Sequence, residues 1–246
     1  MKAIGFDVWK TLLNPDPFVR KFSQYLSLEV GLQGDEVYRL VIAAYEEIKR
    51  LRARGLIREN SIVSDSLSVV LRYVPGATKE KVRRALSKAV LTVDPKELVL
   101  DTADIVLGTI KELGYSIVTI GNVVYWPGSY TRLLLERTGL ARLIDAQVYA
   151  DEEMCSKPSP RIFDAAVKAL REEGKTVGLL AHVGDNMRED FLGALSYGIK
   201  AVLIDRDGVF GRTLELIPGR GYIVKSLKEI PELARLWMIN GQTYQD

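Results

Sequence analysis

A chain of 246 residues, 47% of them hydrophobic, is long enough to bury a sizeable core as one large α/β domain or as a domain carrying a small insert. Its 34 Lys and Arg against 32 Asp and Glu leave a net charge of +2, which gives no global electrostatic case for nucleic acid or a membrane surface. No run approaches the roughly 20 apolar residues of a membrane span, and a single cysteine, Cys155, excludes an internal disulfide and suits a cytoplasmic protein.

The first apolar run, Lys2 to Phe6, reads as a strand that ends at Asp7. From Pro15 to about Val93 only helical patterns follow. Phe18, Phe22, Tyr25 and Leu26 share one face of a helix that Asp16 and Pro17 are expected to cap and start. Asp35 is the expected cap of a longer helix in which Val37, Leu40, Val41, Ala44, Tyr45, Ile48 and Leu51 recur before Gly55, and helices over Ser61 to Tyr73 and Lys79 to Leu91 complete the segment. Strand signals then return at Ser116 to Ile120, Ala146 to Tyr149, Val177 to Val183, Lys200 to Ile204 and Tyr222 to Val224. Helical patterns over Asp101 to Leu113, Pro160 to Arg171 and Arg188 to Tyr197 lie between them. This alternation predicts a doubly wound, Rossmann-like parallel sheet with helices on both faces. Residues 1–14 and 94–246 form the expected core domain, and residues 15–93 an all-helical cap domain inserted over the mouth of the sheet.

Open parallel sheets bind ligands at the carboxyl ends of their strands, which is where Asp7 falls. Alone, such an Asp is more often a turn former or helix cap. Further groups gather after other strand signals: Asn122, Lys157 before Pro158, and Gly184-Asp185 leading to Asp190. Each has an ordinary reading, as a turn for Gly121-Asn122, a solvated loop lysine for Lys157 and a helix N-terminal acid for Asp190. His182, inside a strand, reads as core packing, and Cys155 has no base beside it. Lys49, Arg50, Arg52 and Arg54 near the end of a helix read as solvated cations that complement its dipole.

Taken together, Asp7-x-x-x-Thr11, Asn122 after a strand, Lys157-Pro158 followed by Ile162-Phe163, and Gly184-Asp185-x-x-x-x-Asp190 resemble the four motifs of the haloacid dehalogenase-like (HAD) hydrolase superfamily, of the type with a helical cap. The resemblance implies that Asp7 is a nucleophile forming a covalent aspartyl intermediate, with Thr11 donating a hydroxyl to that carboxylate or to the substrate. It implies that Lys157 holds the nucleophile and the transferring group, that Asp7, Asp185 and the main-chain carbonyl of Trp9 bind Mg²⁺, and that Asp190 orients the metal shell. Carboxylates and a phosphate dianion in one crevice repel unless a cation intervenes, and hard oxygen ligands favour Mg²⁺. The substrate is then a small phosphorylated metabolite.

Two departures leave alternatives open. The second-motif hydroxyl is missing: Gly121 stands before Asn122, and Thr119 lies two residues earlier inside the strand. Gly121 and Asn122 could instead bind an anion through main-chain NH groups. Trp9 stands where superfamily phosphatases carry a second Asp as general acid and base, and where dehalogenases carry an aromatic. A metal-independent 2-haloacid dehalogenase is therefore one rival, and a phosphate-binding sensor without turnover is another. Retention of Asp185 and Asp190 weighs toward the phosphatase. Few Asn, Gln, Cys and Met with abundant Arg, Lys and Glu lean toward a thermophilic source.

Overall fold

The computed structural model describes residues 2–175 and 178–242. Seven strands form one sheet in the order β3-β2-β1-β4-β5-β7-β6, with β1 at Lys2–Phe6, β2 at Ser116–Gly121, β3 at Ala146–Tyr149, β4 at Gly178–Gly184, β5 at Lys200–Ile204, β6 at Leu214–Ile217 and β7 at Gly221–Val224. All neighbouring pairs are parallel except β6 with β7. Val177, the first residue of one expected strand, lies outside the described residues. The antiparallel edge strand β6 was not legible in the sequence, because only one of its four residues is even partly buried and it lacks the apolar run of a central strand.

β1 and β2 are apolar almost throughout because helices cover both faces of a parallel sheet. Helices α6 (Ala103–Glu112), α7 (Gly128–Thr138), α9 (Pro160–Glu172) and α11 (Ile230–Gln242) supply that cover, with a single-turn α8 (Ala150–Glu153) directly after β3, and α9 turns Ile162, Phe163, Ala166 and Leu170 inward. Register then sets the site. Phe6 pairs with Thr119 on one side and Val183 on the other, so Asp7, Gly121 and Gly184 all emerge at the carboxyl edge.

Between β1 and β2 run α1 (Pro15–Val30), α2 (Gly34–Ala53), α3 (Ile62–Tyr73) and α4 (Lys79–Thr92), with a short α5 (Pro95–Leu98) after them. α1 packs on both α2 and α4, and its Phe18, Phe22 and Leu26 are fully buried. Two caps differ from expectation. Asn14 caps α1, its side chain accepting the Asp16 NH, so the helix begins at Pro15, where proline's missing NH costs nothing. Asp35 sits in the first turn of α2, and the cap position is Gln33. Outgoing and returning chains run side by side: the Asn14 NH donates to the Leu98 carbonyl at 2.7 Å and the Leu100 NH to the Leu12 carbonyl at 3.0 Å. No helix among the described residues is long and apolar enough to cross a membrane.

Phe18 joins α1 to the sheet edge by stacking on Trp9 and meeting Trp126 edge-on, with centroids 5.8 and 5.2 Å apart. Phe18→Ala is expected to cost about 3–5 kcal/mol of unfolding free energy. A denaturant melt showing a loss below about 1 kcal/mol would mean that this junction is not packed as described.

Candidate active site

Three chain segments converge on one ammonium group. Lys157 Nζ donates to Asp7 Oδ1 at 2.7 Å and to Asp190 Oδ1 at 2.6 Å, and all three residues are buried. β1 supplies Asp7, whose NH is held by the Val183 carbonyl of β4 at 2.8 Å. Asp190 comes from the turn after β4, a π-helical stretch over Met187–Leu192 that leads into α10 (Gly193–Tyr197) in place of the continuous helix expected from Arg188. Asn186 caps that stretch by accepting the Arg188 and Glu189 NH groups. Gly184 is required at this crossing: a Cβ there would lie 2.2 Å from the Asp190 carboxyl carbon.

Both oxygens of Asp190 are engaged. Besides Lys157 it accepts from His182 Nε2 at 2.9 Å and from the Asn186 NH at 3.0 Å. Burial pushes the His182 pKa down, so the imidazole is neutral and carries its proton on Nε2. His182 is thus core packing as read, with the added task of holding Asp190. Asp7 Oδ2 and both oxygens of Asp185, by contrast, accept no hydrogen bond among the described residues. Asp7, Asp185 and Asp190 can each offer an oxygen within 4.8 Å of the others, a group able to hold a metal ion.

Charge is unbalanced there. Burial, followed by the neighbouring Asp190 and Asp185, outweighs Lys157 and pushes the Asp7 pKa up to about 8. Burial and then Asp190 push Asp185 up to about 6. Asp190 goes the other way: burial would raise it, but Lys157 and His182 hold it well below the usual carboxylate range. Burial works against the charge on Lys157 too, yet Asp190 and Asp7 raise its pKa. Three carboxylates against one buried ammonium leave room for a cation.

Asn122 grips Lys157 by its main chain, accepting its NH at 2.9 Å and donating to its carbonyl at 3.1 Å. The same amide donates to Glu189 at 2.8 Å, and Glu189 pairs with Arg52 of α2 at 3.0 Å. Arg52 also donates to the Val123 carbonyl at 2.8 Å. Reading Arg52 as a solvated cation is therefore corrected: its side chain is 12% exposed. The signal was present, since Arg52 continues the inward row Val41, Ala44 and Ile48 at helical spacing. Glu189 and Lys10, which line the same cavity of about 50 Å³ with Asp7, Trp9 and Asp185, went unread, and Tyr45 and Lys49, read only as positions on a helix, line it too.

Other expected groups fall differently. Thr11 is fully buried and its hydroxyl has no partner, so it does not donate to Asp7 here. Gly121 cannot carry a hydroxyl side chain, because a Cβ would lie 2.8 Å from the Tyr149 ring. Thr119 points its unpartnered hydroxyl into the buried strand layer. Trp9 lines the cavity, its indole NH donating to Thr131 Oγ1 at 3.3 Å, and no donor reaches its carbonyl among the described residues.

A mostly parallel sheet covered by helices, with a buried carboxylate-lysine centre at its carboxyl edge, makes this an α/β protein whose candidate site lies where such sheets bind ligands. Residues 1–198 match the haloacid dehalogenase-like hydrolase family, and the chain belongs to it. It is similar to the glyceraldehyde 3-phosphate phosphatase of Methanothermobacter thermautotrophicus, 26% identical over 217 residues covering 84% of this chain and 87% of the relative. Among solved structures, a HAD phosphatase from Thermococcus onnurineus is 24% identical with a TM-score of 0.60, covering 95% of this chain and 97% of its own. L-2-haloacid dehalogenase from Xanthobacter autotrophicus is 15% identical with a TM-score of 0.67, covering 96% and 98%. These two structures share the fold, and they lie on either side of the choice between phosphoryl and halide chemistry.

The raised carboxylates make a test. For an acid whose folded pKa exceeds its unfolded value of 3.8, a stability penalty grows from about that pH and is complete above the folded pKa, here about 6 for Asp185 and about 8 for Asp7. Metal-free protein is expected to lose Tm between pH 5 and 8.5 relative to Asp7→Asn, and magnesium to raise Tm more at pH 8 than at pH 5.5. Parallel pH curves for the two proteins would show that Asp7 is not held protonated.

Proposed function

We propose that the protein is a Mg²⁺-dependent phosphatase that moves the phosphoryl group of a small phosphorylated compound first to Asp7 and then to water. The supporting observation is the charge arrangement: Asp185 is brought unpaired beside an already crowded Asp7. A haloacid brings one negative charge and displacement of its halide needs no cation, whereas a phosphate dianion beside these carboxylates does.

The donor set suits Mg²⁺, a hard ion that takes oxygen ligands and keeps several waters. Asp7, Asp185 and the Trp9 carbonyl would hold it. When bound, the ion supplies the positive charge that lets phosphate and carboxylates share the cavity. Asp7 then attacks phosphorus through its oxygen not committed to Lys157. Lys157 keeps that carboxylate oriented and offsets charge on the transferring group. Asp190, whose oxygens already accept from Lys157, His182 and the Asn186 NH, holds Lys157 in place, and Asn122 fixes the main chain that carries it. Since the Asn122 side chain is engaged in that way, substrate contact at Gly121 and Asn122 falls to main-chain NH groups. We divide the chain accordingly: residues 1–14 and 94–246 form the catalytic core and residues 15–93 a helical cap that shapes the site.

Hydrolysis of p-nitrophenyl phosphate is expected with Mg²⁺, and is expected to be lost in EDTA and in Asp185→Asn. Full turnover in EDTA with halide release from a 2-haloacid would replace this reading with the dehalogenase one. Phosphate binding without turnover of any ester would leave a sensor.

Position 9 sets a second expectation. The indole cannot protonate a departing alkoxide, and it is anchored on Thr131, Phe18 and Trp126. A positioned acid gives about 10² to 10⁴ in rate, so aryl and acyl phosphates, which leave unaided, should turn over far faster than alkyl phosphates. Trp9→Asp should narrow the gap, provided its melting curve shows that the aromatic cluster survives. Equal rates on aryl and alkyl esters in the native protein would show that another group supplies the proton.

A further inference from the structure

Arg206 belongs to none of the motifs, yet it ties together the two stretches that join the helical segment to the sheet. It follows β5 by two residues. Its Nε donates to the Lys10 carbonyl at 2.8 Å, Nη2 to the Thr11 carbonyl at 3.2 Å, and Nη1 to the Asp101 carboxylate. Lys10 and Thr11 lie in the turn that begins at Asp7, and Asp101 lies on the returning chain. Arg206 is the donor to both carbonyls among the described residues.

The backbone is unusual at the same place. Four non-glycine residues among those described have left-handed φ values: Lys10 at 62°, Asp101 at 49°, Thr102 at 55° and Met154 at 49°. Three of these four are bound by Arg206 or adjoin a residue that is. A Cβ disfavours this conformation, which persists where surrounding contacts over-determine it and which clusters where geometry serves function. Within the turn, Lys10 NH donates to the Leu13 carbonyl and Leu12 NH to the Val8 carbonyl, at 2.7 and 2.8 Å. Those bonds close the turn on itself, while Arg206 fixes it to the rest of the core.

We propose that Arg206 is a positioning residue for phosphoryl transfer: by clamping the carbonyls of Lys10 and Thr11 it fixes the turn that presents Asp7 and the Trp9 carbonyl, and Asp101 holds the guanidinium in the required pose. The inference rests on the phosphatase reading for its rate measurements. A planar fork with five donors reaches three acceptors at once, which a lysine ammonium on a flexible stem does not reproduce.

Arg206→Ala and Arg206→Lys separate this role from a general staple. With p-nitrophenyl phosphate at saturating Mg²⁺, Arg206→Ala is expected to lose about 10²-fold in kcat, the scale of a misplaced reacting group, with KM changed by less than about threefold. Guanidinium ion at non-denaturing concentration should restore part of that loss in Arg206→Ala and none in wild type, and Arg206→Lys should recover Tm more than kcat. A kcat within about twofold of wild type, or a loss that tracks the unfolded fraction and ignores guanidinium, overturns the proposal. If wild type itself hydrolyses no phosphate ester, the phosphatase reading fails, and crystal structures of wild type and Arg206→Ala decide the positioning claim alone. Displacement of residues 9–11 with Lys10 leaving the left-handed region supports it, and an unchanged turn overturns it.

Discussion

A buried lysine between two buried aspartates governs how this site can be built. Lys157 is 2% exposed, and an ion taken so far from water is tolerated only when partners satisfy it. Asp7 and Asp190 do so at 2.7 and 2.6 Å. The requirement propagates outward. β1 and β4 must be adjacent so that Asp7 and the turn after Gly184 meet, Gly184 must lack a side chain so that Asp190 can lie over it, and His182 must present Nε2 to the same carboxylate. Losing Lys157 would strand two buried acids without the cation that satisfies both, so its removal is a structural insult as well as a chemical one.

The helical segment is wired into this centre. From Arg52 on α2 a continuous set of hydrogen bonds passes through Glu189 and Asn122 to the main chain of Lys157. Arg188, next to Glu189, also donates to the Ala53 carbonyl at the end of α2, at 2.6 Å. The position of α2 and the position of the buried ammonium are therefore linked by direct contacts through one pair of adjacent residues. Salt should screen this linkage little, since Arg52 and Glu189 are mostly buried, in contrast to exposed pairs such as Arg20 with Asp16.

Much of the architecture was legible in the sequence because period and punctuation are local. Alternation of apolar runs with helical patterns marks the parallel sheet, and the stretch after Asp7 that lacks strand signals is the one that forms α1 to α4. Groups that end strands, Asp7, Asn122 and Asp185, each had an ordinary reading alone and were singled out because their combined spacing resembles the family's motifs. What escaped was long-range or two-sided. β6 is an exposed edge strand with no periodic mark, and Arg206 contacts residues nearly two hundred positions away. Arg52 was misread because its three neighbouring cations, Lys49, Arg50 and Arg54, looked like a solvated helix end, although its spacing from Ile48 placed it on the inner face. Thr11 and Gly121 show the converse: a motif position fixes a residue's place in the chain, while packing against Tyr149 or burial without a partner decides what that residue does.

Every proposed role at this site depends on Asp7 acting as the nucleophile, and a covalent intermediate on Asp7 would be the most direct witness of that. Enzyme mixed with excess aryl phosphate and Mg²⁺, quenched in acid within the first turnovers and digested, should yield a peptide containing Asp7 that is heavier by one phosphoryl group, and Asp7→Asn should yield none. Multiple turnovers with no phosphorylated peptide at any quench time, or a phosphoryl group on a different residue, would contradict the account.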